Sequence, residues 1–107
     1  MNDQVKDIIR FIVYALSIEN TQVLVDRNLL ASNEVTGIIE VLQQYGRHLI
    51  PIPQTGWNLA DIYAIENQEN NFDIDIPLWT MEEGRSDLML KINVNHGAVK
   101  ILDILVP

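Results

Sequence analysis

Along the first third of the chain the apolar positions fall at Val5, Ile8, Ile9, Ile12, Val13 and Leu16. That i, i+3, i+4, i+7 spacing marks one face of an amphipathic helix and predicts it from about Asp3 to Ile18. Asn2 or Asp3 can cap its start. Phe11 and Tyr14 widen the stripe, which implies burial on more than one side. Glu19-Asn20 breaks the pattern. A short second helix is expected within Thr21–Leu30, with Val23, Leu24, Leu29 and Leu30 inward. Ser32 is placed to cap a third helix, Asn33–Tyr45, whose stripe is Val35, Ile38, Ile39 and Leu42. Gly46 is placed to end it. Gly37, inside this helix, costs about 1 kcal/mol relative to Ala; close packing against the first helix would account for it.

After Pro51 and Pro53 the period changes from 3.6 to two. The clearest alternation runs through Phe72–Val94. Phe72, Ile74, Ile76 and Leu78 fall on one side, with Asp73, Asp75, Pro77 and Trp79 on the other. Leu88, Leu90, Ile92 and Val94 point inward on a second strand, with Met89, Lys91, Asn93 and Asn95 outward. One apolar face per strand means half-buried antiparallel strands. Pro77 has no N–H to give a ladder, so it marks an edge or a bulge. Gly84 supplies the permissive backbone of the bend between the two strands.

The remaining segments are shorter. His48–Pro53 is expected to be extended and loop-like, Gln54-Thr55-Gly56 a turn, and Asp61–Glu66 a strand, with Trp57–Ile65 otherwise ambiguous. Asn67–Asn71 turns into the central strand. Asn95-His96-Gly97 reads as a tight hairpin bend with Gly where φ is positive. Val99–Val106 is the last strand, and its inward parity slips near Asp103, which predicts a bulge or burial on both faces there. Helices first and then short-linked strands predict an α+β fold: one domain over 1–107, N-terminal helices on a curved antiparallel sheet of four or five strands, a cone-like cup.

At 107 residues without cysteine, the chain has no disulfide framework and no thiolate metal site. No apolar run reaches a membrane span. The N-terminal apolar stretch lacks a cationic leader region, because Asp3 and Asp7 stand there; a soluble, cytoplasmic protein is expected. Charge changes the picture more. The net charge is −8, and residues 61–87 alone carry eight acids against Arg85. That balance argues against nucleic-acid binding, which needs a basic footprint, and favours a basic protein partner or solubility alone.

Catalytic chemistry is not legible. His48 and His96 have no metal-ligand spacing around them. Ser86 and His96 lie at opposite ends of one strand, roughly 33 Å apart at strand rise, which excludes a dyad. Asp73 and Asp75 share a strand face at roughly 7 Å, within reach of paired-carboxylate chemistry, but no feature argues for a desolvated cleft around them, so a solvated face is the simpler reading. Trp79 is either an exposed interface anchor beside carboxylates or is turned into the core by a bulge at Pro77. Arg85 is expected to pair with Asp87 or a neighbouring Glu and to order the bend.

The run Pro77-Leu78-Trp79-Thr80-Met81-Glu82-Glu83-Gly84-Arg85-Ser86-Asp87-Leu88 resembles a small bacterial domain family of unassigned activity with an LWT-EEGRSDL motif. Tyr45-Gly46-Arg47-His48-Leu49 and the Pro51/Pro53 segment look similar as well. The resemblance supplies no catalytic residues, and the motif could be a folding signature. Small acidic bacterial proteins of this kind resemble the immunity proteins of contact-dependent growth inhibition systems, which implies a protein that binds and blocks a toxin domain, often a nuclease. The expectation is therefore a non-enzyme without cofactor or metal, a monomer or weak homodimer. Its partner surface would be Glu66, Glu69, Asp73, Asp75, Glu82 and Glu83, with Trp79 or Tyr63 as the apolar anchor. The alternatives are a small-molecule-binding or catalytic cup, which would need a deep pocket at Trp57, Tyr63 or His48 holding a buried carboxylate, and a homodimeric structural module.

Overall fold

In the computed structural model, which describes residues 1–107, the two periodicities become two layers. Helices α1 (Asp3–Ser17), α2 (Thr21–Asp26) and α3 (Val35–Tyr45) come first. Strands β1 (Leu49–Ile50), β2 (Asp61–Ala64), β3 (Asn71–Thr80), β4 (Gly84–Asn95) and β5 (Ala98–Leu105) follow. They form one curled, wholly antiparallel five-stranded sheet, so the α+β reading holds. The inward residues of β3 and β4 meet α1's stripe in one core: Ile9, Ile12, Ile74, Ile76, Leu90 and Ile92 have no exposed surface. Burying such side chains contributes roughly 1.5–3 kcal/mol each.

β3 is the axis of the sheet. β4 pairs along one edge of it. The other edge is shared: β1 pairs at Leu49↔Thr80 and Ile50↔Trp79, and β2 pairs from Asp61↔Asp75 to Ala64↔Phe72. Between these two short partners no strand faces Ile76–Leu78. Pro77, which cannot donate, sits in that gap. A 3-10 segment, Gln54–Leu59, joins β1 to β2 and carries Trp57 into the core at 7 % exposure. The ladder between β3 and β4 is irregular at Pro77/Trp79, as the proline suggested. There Ser86 is buried; its Oγ donates to Leu78 O at 2.8 Å and accepts from Leu88 N at 3.1 Å, replacing ladder bonds lost at the irregularity.

Several local expectations are corrected. α1 starts as read, with Asn2 Oδ1 accepting from Val5 N at 2.8 Å, but Tyr14 is 60 % exposed and does not widen the buried face. α2 stops at Asp26, and a turn carries Leu29 and Leu30 inward instead of a helix. Ser32 makes no side-chain cap; it opens a 3-10 turn, Ser32–Glu34, and the α-helix begins at Val35. A Cβ at Gly37 would meet nothing within 4 Å, so close packing is not its reason. Gly46 does end α3, at φ 68° with its N–H on Leu42 O. Gln54-Thr55-Gly56 begins the 3-10 segment and is not a simple turn. The slip in β5 lies at Leu102, one residue before Asp103: Lys91 pairs Asp103 and Ile92 pairs Ile101. His96 and Gly97 form the β4–β5 bend at φ 50° and 81°, the double positive φ of a tight two-residue hairpin.

Candidate functional site

The acidic segment divides into two groups, one at the β3–β4 bend and one on the β2–β3 hairpin, whose nearest strand carboxylate, Asp75, lies five residues or roughly 17 Å along β3 from Thr80. The first group is the β3–β4 bend, and its side chains are bound to the molecule itself. Thr80 Oγ1 donates to Glu83 Oε2 at 2.9 Å and accepts from Glu83 N at 3.2 Å. Tyr45 Oη, at the end of α3, donates to the Glu83 carboxylate at 2.9 Å and accepts from Asp87 N at 3.0 Å. His48 N donates to Glu82 Oε1 at 2.8 Å, and His48 Nδ1 lies 2.6 Å from Glu82 Oε2. The His48 ring contact first, and its backbone N–H second, hold the Glu82 carboxyl well below its ordinary 4.5, at about 2. Met81 N closes the clasp on His48 O at 2.8 Å.

The two segments that carry the resemblance are thus bonded to each other. Tyr45–Leu49 and Thr80–Asp87 form a clasp that fixes the end of α3 to the sheet. Trp79 is half-buried against this frame; a Cβ at Gly56 would lie 2.8 Å from its ring, so only glycine admits the indole. Arg85 is exposed and forms no ion pair, contrary to the expected bridge to Asp87 or a glutamate.

The second group is the β2–β3 hairpin. Residues 61–75 carry Asp61, Glu66, Glu69, Asp73 and Asp75 and no lysine or arginine. Glu66 and Glu69 stand exposed in the connecting loop. Asp73 and Asp75 lie on the sheet's outer face, each half-buried: Asn93 Nδ2 donates to Asp73 Oδ1 at 3.0 Å, and Lys91 Nζ reaches Asp75 Oδ2 at 3.2 Å. Asp61 sits directly across from Asp75, a like-charge juxtaposition that disfavours folding. Tyr63, opposite Asp73, and Ile62 are 51 % and 50 % exposed. The hairpin therefore joins Glu66, Glu69, Asp73, Asp75 and Tyr63, while Trp79, Glu82 and Glu83 belong to the distant clasp. Asp61 extends the same face, which only its cross-strand register with Asp75 shows.

Concave features lie elsewhere. A groove of about 470 Å³ opens between α1, α2 and α3 and includes His48, but neither Trp57 nor Tyr63 lines it and no buried carboxylate stands in it. Trp57 lies in the core with Lys6 Nζ at 5.9 Å and the Arg10 guanidinium at 5.2 Å from its ring.

These features define a small α+β domain with a curled antiparallel sheet, a helical layer and an internally clasped β3–β4 bend. Residues 13–107 match the family model described as Domain of unknown function (DUF7668), and the chain belongs to that family. No curated protein and no solved structure shows a significant match to it.

Proposed function

We propose that the chain is an immunity protein of the contact-dependent growth inhibition type, which binds a basic cognate toxin domain, a nuclease by preference, and blocks it by occlusion. The observation that carries this reading is the β2–β3 hairpin: five carboxylates without a base in 15 residues, with Asp61 held opposite Asp75. Like charges in direct register weaken a hairpin; Lys91 offsets this at Asp75, while Asp61, Glu66 and Glu69 have no cationic partner in the chain and are free to meet one on another protein. A nuclease attracts a polyanion and lines its cleft with Lys and Arg. An acidic face with an exposed Tyr63 on it, in register with Asp73, offers both the opposite field and an apolar contact.

In this reading Asp61, Glu66 and Glu69 steer the encounter, because they are exposed and without a bonded partner. Asp73 and Asp75, already half-buried, pair at the centre of the contact. Tyr63 is the anchor. Trp79, Glu82 and Glu83 serve by holding the sheet in shape. The test is co-expression with the C-terminal domain encoded by the neighbouring reading frame. Co-purification of the two and rescue of growth support the reading. A domain whose toxicity is unchanged by this chain, and which does not bind it, removes it.

A further inference from the structure

The groove between the helices carries a backbone anomaly. Five non-glycine residues have positive φ: Glu19, Asn28, Asn67, Asn70 and His96. Four are Asn or His, which tolerate that region. Glu19 does not belong with them. It follows the C-cap of α1, with Glu19 N on Leu16 O at 3.1 Å and Asn20 N on Ala15 O at 2.8 Å. This paired return of N–H groups is the helix ending in which glycine is strongly preferred at Glu19's position. A glutamate there costs backbone strain, and its carboxylate makes no hydrogen bond or ion pair that would offset it. Strain retained without a local return points to a use for the side chain.

Glu19 lines the groove, and so does Arg47. Of the seven cations, Lys6, Arg10 and Arg27 lie over aromatic rings and Lys91 holds Asp75. Arg47 reaches only the carbonyl of its neighbour Gly46, at 3.4 Å. The same groove is walled by Leu16, Ile39, Leu42 and Leu49, the last three only half-buried. The volume, about 470 Å³, falls in the roughly 300–1,000 Å³ range of small-molecule clefts.

We propose that this groove binds a small amphipathic zwitterion, an apolar amino acid or dipeptide, with its ammonium on Glu19, its carboxylate on Arg47 and its side chain on the leucine–isoleucine wall. Two opposite unpaired charges in one concavity fit a ligand that carries both signs. They do not fit a uniformly basic protein surface or a polyanion. The site lies among the helices and is independent of the acidic hairpin, so either can fail without the other.

The test is an NMR titration with leucyl-leucine, N-acetyl-leucine and leucinamide, read at the methyl groups of Leu16, Ile39, Leu42 and Leu49. Leucyl-leucine should shift them saturably below about 10 mM, and each single-charge analogue should bind about tenfold more weakly, the worth of one charged hydrogen bond. Arg47→Gln and Glu19→Gln should each lower leucyl-leucine affinity by about the same factor. Glu19→Gly separates strain from function: it should raise the melting temperature by a few degrees and lose the preference for the dipeptide over N-acetyl-leucine. Absence of saturable shifts, equal binding of all three compounds, or undiminished dipeptide preference in Glu19→Gly would each overturn the proposal.

Discussion

Gly37 and Glu82 show how far a single side chain can be read. Gly37 faces open space in the middle of α3, so the missing methyl has no packing role. Gly37→Ala should raise stability by about 1 kcal/mol, from helix propensity alone, measured by denaturant unfolding; a loss would mean that the added methyl meets a neighbour and that the space beside Gly37 is not open in solution. Glu82 is the residue through which acid should act. Its carboxyl is held at about 2, below the ordinary 4.5, by the His48 ring and backbone N–H. A depressed carboxyl stabilises the fold at pH above its unfolded value and ceases to do so as pH falls through the folded value. Glu82's contribution to the clasp should therefore be present above about pH 4.5 and fade between there and about pH 2. In Glu82→Gln this part of the pH–stability profile should flatten; an unchanged profile would show that the His48 contact does not persist in solution.

At the scale of elements, the clasp between the end of α3 and the β3–β4 bend accounts for most of the Pro77–Leu88 run. Leu78 and Leu88 are core, Thr80 and Glu83 fold the bend, Gly84 takes φ 76°, and Ser86 repairs the ladder. Tyr45→Phe removes the hydroxyl that joins Glu83 to Asp87 N and should cost about 1–3 kcal/mol in equilibrium unfolding. Strand parity was legible because each inward residue of β3 and β4 is apolar and the period is two. The helix stripes were legible for the same reason at period 3.6. What could not be read was contact between segments distant in sequence. Tyr45 and Glu83 are 38 residues apart, and no periodicity reports that they meet. Without that contact, Glu82 and Glu83 look like free surface charge, and Arg85 looks as if it should pair nearby. Trp79 shows the same limit: its half-burial depends on the missing Cβ of Gly56, in the 3-10 segment, whose packing a one-dimensional pattern cannot carry.

For the whole molecule, the curled sheet displays one acidic hairpin on its outer side and holds the helical layer on the other. The two faces can be altered separately. Neutralising Asp61, Glu66 and Glu69 to Asn and Gln should leave the fold intact, because none of the three is buried or bonded through its side chain, and should relieve the opposition between Asp61 and Asp75. The most direct test is the association rate of the chain with the toxin domain from the neighbouring reading frame, measured by stopped flow across ionic strength. Steering by the hairpin should make association fast at low salt and progressively slower as salt screens it. The Asp61→Asn, Glu66→Gln, Glu69→Gln variant should start slower and depend less on salt. If the domain binds both forms at the same rate and neither responds to salt, the acidic hairpin is not the binding surface.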